Sequence, residues 1–251
     1  MKDLYFDNKQ QLEHFLKNKT FLGKGAEGSC YRYEDSTLKI FDGILKDEIR
    51  NIKYDKNYYL QFKDINVENF HFVKNIIYLN DAKDFKIIGL ISNYASGNNL
   101  DYNSLYDVPI DSIINSLEIL LDNILSLSNN LIAVKDAVFI KNILYDGKIF
   151  KFIDTSNFFF IEEDPYYIYK NNVVEIMKEL IISIINGYGD SCVCNYFKHV
   201  SSEYNYYYDP GLLADPIKYL KKLKLILEEY CEKEIKTFKD CESIMKKKIK
   251  Y

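Results

Sequence analysis

Thr20-Phe21-Leu22-Gly23-Lys24-Gly25-Ala26-Glu27-Gly28-Ser29-Cys30-Tyr31-Arg32-Tyr33, continuing through Glu34-Asp35-Ser36 into Thr37-Leu38-Lys39-Ile40-Phe41, is the stretch whose reading decides the fold. Its glycines at 23, 25 and 28 satisfy G-x-G-x-x-G, a spacing shared by several phosphate-binding folds, so the residues that follow must separate them. A dinucleotide fingerprint opens a helix after its last glycine, whereas Ser29-Cys30-Tyr31-Arg32-Tyr33 is a poor helix start and a good strand. A Walker loop is excluded because Gly28 is followed by Ser29 and not by Lys-Ser or Lys-Thr. What remains is a glycine turn between two antiparallel strands, whose side-chain-free backbone can lie flat over phosphates. On the next strand Lys39 sits between Leu38 and Ile40, and the period of two sends its ammonium to the opposite face from both.

Outward from this hairpin, residues 44–62 turn helical, with Glu48, Ile52, Asp55, Tyr59 and Phe62 on one face. Residues 72–79 and 86–92 read as two further strands, and 93–99, holding Gly97, as a linker. Beyond it the pattern changes to long apolar-periodic helices. Asp111 after Pro109 reads as an N-cap, and Ile113, Ile114, Leu117, Leu120, Leu121, Ile124 and Leu125 form the apolar stripe of one long helix. Residues 142–153 read as a hairpin about a two-residue Asp146-Gly147 turn; 173–185, 216–230 and 232–248 read as helices. The change of element type predicts an α+β protein of two lobes. Residues 1–93 make a small antiparallel β lobe with one helix, 94–99 a hinge, and 100–251 a larger, mostly helical lobe.

The hairpin reading puts Asn142 and Asp154 at one open end of a two-stranded ribbon. An amide oxygen and a carboxylate together suit Mg²⁺, which takes few protein ligands and completes its shell with water and phosphate oxygens.

Composition narrows the partners. Lys and Arg number 33 against 37 Asp and Glu, for a net charge of −4, so no general attraction to nucleic acid is expected. Lys246-Lys247-Lys248-Ile249-Lys250 is local and reads as a solvated helix terminus. Five cysteines at 30, 192, 194, 231 and 241, without C-x-x-C spacing, read as reduced thiols. Residues 1–9 lack the apolar core of a signal peptide, and no uncharged apolar run approaches the ~20 residues of a membrane span. The expectation is a cytoplasmic protein without a membrane partner.

In its order of glycine-rich loop, strand lysine, helix, two strands and linker, the N-terminal half resembles the small lobe of protein kinases. The C-terminal half carries counterparts of the remaining signatures. Val134-Lys135-Asp136-Ala137-Val138-Phe139-Ile140-Lys141-Asn142 stands where kinases have H-R-D-L-x-x-x-N, and Ile153-Asp154-Thr155-Ser156 where they have D-F-G. The resemblance covers residues 18–187 and is to divergent bacterial Ser/Thr kinase-like proteins. It implies a two-lobed protein-kinase-like fold binding ATP and Mg²⁺. By the same resemblance Gly23, Lys24, Gly25, Ala26, Glu27 and Gly28 cover the phosphates, Lys39 pairs with them, and Glu48 (or Asp55) holds Lys39. The backbone of Asn93 and Ala95 meets adenine, Cys30 and Thr37 contact its faces, Asn142 and Asp154 hold metal, and Asp136 is the catalytic base. Asn172 stands where kinases often have a scaffold Asp and is counted as structural.

The departures are specific. Val134 and Lys135 replace His and Arg, Asp136 precedes Asn142 by six positions instead of five, D-F-G has become Asp154-Thr155-Ser156, and no A-P-E follows. Three functions compete: phosphotransfer to a protein hydroxyl; nucleotide binding without transfer, as in a pseudokinase; and phosphotransfer to a small-molecule alcohol, as in aminoglycoside-type kinases. Those last enzymes usually have Gly before the catalytic Asp, where this chain has Lys135.

Overall fold

The computed structural model describes residues 2–42, 55–81, 84–100, 105–134, 140–181 and 213–248. These divide into two compact units. The first comprises Met1–Asn66, Phe70–Ala95 and Ile153–Ser156; the second comprises Val67–Asn69, Ser96–Phe152 and Asn157–Tyr251. The return of Ile153–Ser156 to the first unit has no trace in the sequence segments 1–93, 94–99 and 100–251.

The first unit is built on a six-stranded sheet of β1 (Leu4–Phe6), β2 (Thr20–Lys24), β3 (Gly28–Tyr33), β4 (Ser36–Phe41), β5 (Val73–Asp81) and β6 (Asp84–Asn93), in the order β1-β5-β6-β4-β3-β2. Between the first two strands lies helix α1 (Lys9–Lys17), and before β5 lies α2 (Lys56–Leu60). The five strands expected from the glycine hairpin, the Lys39 strand and the 72–92 region are present, but the expectation of a purely antiparallel lobe with one helix is corrected. β1 pairs parallel with β5, Leu4 opposite Ile77 and Phe6 opposite Leu79, so the sheet is mixed. α1 carries the chain from β1 to β2 at the opposite edge, and β2 runs the same way as β1. Since β2, β3, β4, β6 and β5 are each antiparallel to the next, β5 also runs with β1. Asn8 caps α1 by accepting from the Gln11 N–H at 2.9 Å, while Gln11 Oε1 accepts from the Asp7 N–H at 2.7 Å.

Each face of the sheet has its own apolar cluster. Leu12 and Leu16, one turn apart on α1, pack with Phe6, Leu38, Ile40, Ile77, Ile88 and Ile91. Ile76, Tyr78 and Leu90 pack with Tyr59 and Leu60 of α2. Because Leu38 and Ile40 belong to the α1 face, Lys39 between them stands on the α2 face, opposite Leu90 on β6 and Cys30 on β3.

The single helix expected over residues 44–62 is corrected at its C-terminal part: Asp55 is extended at φ −80° and ψ 176°, so α2 starts afresh after it and ends at Leu60. Asp55 caps α2 by accepting from Tyr58 N–H at 2.9 Å, and residues 43–54, with Glu48, lie outside the described residues.

In the second unit, α3 (Ile110–Asn129), α4 (Pro165–Ile181), α5 (Pro216–Cys231) and α6 (Glu242–Lys248) surround short strands β7 (Asn98–Asn99), β8 (Ile132–Ala133), β9 (Ile143–Tyr145), β10 (Phe150–Phe152) and β11 (Phe159–Phe160). The apolar stripe of α3 is buried at Ile113, Ile114, Leu117, Leu120 and Ile124, whereas Leu125 is exposed. Three local expectations are corrected. Pro109, not Asp111, occupies the N-cap of α3 without a side-chain bond, because proline's fixed φ already fits the helix entry and Asp111 falls in the first turn. The β9–β10 loop has four residues, since Tyr145 pairs with Phe150; Asp146 Oδ1 accepts from the N–H groups of Lys148 and Ile149, and Gly147 takes φ +94°. Finally, 232–248 is not one helix. Glu232 turns left-handed at φ 54° and ends α5, and the chain re-enters helix only through a 3₁₀ turn at Phe238–Cys241 capped by Thr237 and Asp240. No helix among the described residues is long and apolar enough to cross a membrane.

Candidate functional site

The glycine loop joins β2 to β3 through Gly25-Ala26-Glu27, closed by a hydrogen bond from Gly25 N–H to Gly28 O at 2.9 Å and tied to the end of β4 by Asp42 N–H donating to Glu27 O at 2.8 Å. Its three glycines differ in what the fold asks of them. A Cβ at Gly28 would lie 2.2 Å from the Ile40 carbonyl oxygen, so the close approach of β3 to β4 demands glycine there. A Cβ at Gly23 would meet nothing within 4 Å, and one at Gly25 only Gly28 O at 3.9 Å. The packing of the fold therefore gives no reason for glycine at 23 and 25, and both present bare backbone. Lys24 pairs with Asp42 at 3.4 Å, and Ala26 is exposed.

Lys39 is the centre of the cluster. Its Nζ donates to Glu27 Oε2 at 2.7 Å and to Asp154 Oδ1 at 3.1 Å, the latter 115 residues on in the chain. Burial works against the ammonium, but the charge of Asp154 and the hydrogen bond and charge of Glu27 outweigh it and hold the pKa above the ordinary lysine value. The same surroundings act on Cys30, Lys39's cross-strand neighbour: burial pushes its thiol up, Lys39 opposes and Asp154 adds to the rise. Cys30 is therefore held as a neutral thiol at physiological pH. Thr37, two residues before Lys39 and half-buried, shares its face of β4.

Asp154 is held in an uncommon way. Its backbone is left-handed at φ 59°, a region open to Asp at modest cost and found where the surrounding structure over-determines a conformation. Ser156 Oγ donates to Asp154 Oδ1 at 3.0 Å, Thr155 Oγ1 donates to His71 O at 3.3 Å, and Tyr58 Oη of α2 donates to Ser156 O at 2.8 Å. Each residue of Asp154-Thr155-Ser156 is thus bonded within the first unit, and Oδ2 of Asp154 stays outside these bonds.

The described partners of Lys39 are Glu27 and Asp154. Asp55 spends its carboxylate on the α2 cap, and Glu48 lies outside the described residues. Glu27 was expected in the loop for its backbone; its carboxylate on Lys39 is a role the sequence reading missed. In the 93–95 stretch, Asn93 O lies 3.3 Å from His71 Nδ1, Tyr94 N–H donates to Asp35 O at 2.8 Å, and Ala95 is buried.

Asn142, half-buried, ends the 3₁₀ turn Ile140–Asn142 that runs into β9, and belongs to the second unit. The β9–β10 ladder closes with Ile143 opposite Phe152, one residue after Asn142 and two before Asp154. Lys135 and Asp136 lie outside the described residues, but both flanks of 135–139 are held by α4. Asn172 Oδ1 accepts from Val134 N–H at 3.0 Å while its Nδ2 donates to Ile132 O and Ser128 Oγ. Glu179, seven residues on and so on the same face, accepts from Ile140 N–H at 3.0 Å. Burial raises the Glu179 carboxyl above its usual range, with Glu175 adding and the Ile140 bond opposing. Asn172 has the structural role expected of it; Glu179 carries no sequence signal.

Among the described residues no group of three or more His, Cys, Asp or Glu gathers as a metal site. No family model matches the chain, and no curated protein matches it.

Proposed function

We propose that the chain is an ATP-dependent phosphotransferase of the protein-kinase-like type, with a protein Ser or Thr hydroxyl as acceptor. The observation that carries this reading is Lys39: a mostly buried ammonium beside a loop with two side-chain-free positions, bonded to a carboxylate from 115 residues away whose backbone is left-handed. A fold needing only stability has little use for a buried ion pair of this kind, since desolvation offsets much of the attraction.

In this reading the bare backbone at Gly23 and Gly25 accepts the phosphates and Lys39 orients them. Glu27 must then release Lys39, because its carboxylate stands where a phosphate oxygen would bond. Asp154 would hold Mg²⁺, whose charge would neutralise that of the phosphates. Asp136 accepts the proton of the attacking hydroxyl, and Asn172 and Glu179 position its loop from the two flanks. A second reading, nucleotide binding without transfer, is favoured by Val134 and Lys135 in place of His-Arg and by the extra residue before Asn142.

The test pairs binding with turnover. Mg-ATP raises the melting temperature of the parent, since a ligand of the folded state stabilises by mass action. In Asp136→Asn binding persists while phosphate transfer falls by roughly two to four orders of magnitude, the usual range for a lost general base. No shift at millimolar Mg-ATP sinks the nucleotide reading; a shift without turnover in the parent leaves the binding module.

A further inference from the structure

The first unit holds a concentration of positive charge that shares no residue with the Lys39 cluster. A cavity of about 530 Å³ is lined by Lys2, Asp3, Tyr5, Lys56, Leu60, Lys63, Lys74 and Asn75, contributed by the β1 strand, β5 and the α2 region. Four lysines face one aspartate there, in a chain whose net charge is −4. The accumulation is therefore local and does not follow from composition.

The single carboxylate is already committed. Asp3 Oδ1 accepts from Ile76 N–H at 3.0 Å, which pins β1 beside β5, and Oδ2 accepts from Lys56 Nζ at 3.0 Å. Lys74 is held by carbonyls alone, Lys63 O and Ile65 O, each at 2.7 Å, and burial pushes its pKa below the ordinary lysine value against a weaker pull from Asp64. A half-buried ammonium bonded only to neutral acceptors gains from any anion brought beside it. The volume lies in the range of small-ligand cavities, and Tyr5, 56 % exposed and stacked on Tyr78 at 4.8 Å, offers an aromatic wall.

We propose that this cavity is a binding site for a small polyanion, a ligand carrying two or more phosphate groups. Charge selects the class: three lysines in excess of carboxylate match a compact oligophosphate, which brings several negative charges into one small volume. The assignment is independent of the function proposed for Lys39.

The experiment uses the full chain carrying Lys39→Met, so that the glycine-loop cluster cannot supply the site, and titrates tripolyphosphate by calorimetry at about 0.15 M ionic strength. Saturable one-site binding is expected, weakened about tenfold or more by a further Lys63→Glu or Lys2→Glu. Lys63 is the better probe, because its backbone carbonyl, not its side chain, holds Lys74; unchanged melting of the apo variant verifies the fold. Pyrophosphate and a nucleoside diphosphate then separate the sources: tighter binding of the nucleotide assigns an organic carrier on Tyr5, and equal affinity assigns inorganic phosphate. Loss of all binding on Lys39→Met, indifference to Lys63→Glu and Lys2→Glu, or binding of an oligoglutamate peptide but not of tripolyphosphate each overturns the proposal.

Discussion

Lys39 on β4 and Lys74 on β5 are half-buried lysines of one sheet, and burial opposes the charge on both, yet they end on opposite sides of the ordinary lysine pKa. Lys39 is given two carboxylates, and their field wins over desolvation. Lys74 is given two carbonyls, and desolvation wins. Exposure alone does not say whether a buried lysine is held charged for use; the formal charge of its acceptors does.

The largest expected effect comes from removing each ammonium in turn. Lys39→Met abolishes stabilisation by Mg-ATP, which for the parent amounts to about 2.7 kcal/mol at a hundredfold excess over Kd. Lys74→Met keeps it. Equal losses in thermal-shift titrations of the two variants would break the comparison.

Asp154→Asn sharpens it by turning Lys39 toward the condition of Lys74. Asparagine tolerates the left-handed backbone, so the change removes charge with little change of conformation. The Lys39 pKa then falls from above the ordinary value, as followed by NMR of isotopically labelled lysine, and nucleotide binding loses its dependence on Mg²⁺. A Lys39 titration that does not move would assign the raised pKa to Glu27 instead.

The pH dependence of stability has opposite sign at the two sites. Lys39, with its folded pKa above the unfolded value of 10.5, contributes stability that is fully present below 10.5 and lost as pH rises through the folded pKa. Lys74, with its folded pKa below 10.5, carries a penalty that is relieved as pH rises from that pKa to 10.5. Denaturant midpoints from pH 8 to 11 therefore fall less steeply at the alkaline end for Lys39→Met than for the parent, and Lys74→Met loses the rise below 10.5. Superimposable profiles would refute the assignment.

Glu27→Gln has the smallest effect. Glu27's side chain is 64 % exposed, and exposed pairs are worth up to about 1 kcal/mol, so freeing Lys39 of it tightens nucleotide binding by no more than about fivefold. Weaker binding, measured by calorimetry, would show that Glu27 assists the ligand and does not compete with it.

Much of the fold was legible where the pattern is local. Alternation of apolar residues marked β3 to β6, placed Lys39 opposite Leu38 and Ile40, and the 3.6-residue stripe marked α3. The miss at α1 was a missed signal, since Asn8-x-x-Gln11 is a capping pattern ahead of Leu12 and Leu16. The break at Glu232 left no such mark: a non-glycine residue takes a left-handed turn there, which sequence pattern does not announce.

By itself the sequence determined the glycine spacing, the strand that carries Lys39 and the face on which that lysine stands, because periods of two and 3.6 are properties of neighbouring residues. Only the tertiary structure decided which carboxylates meet it. Asp154 is 115 residues from Lys39 and reaches it from a left-handed turn held by Ser156 and Tyr58, while Asp55, nearer in sequence, turns to its own helix cap. Coulomb energy and hydrogen bonding depend on separation in space, and that separation is set by the packing of the whole unit, not by position along the chain.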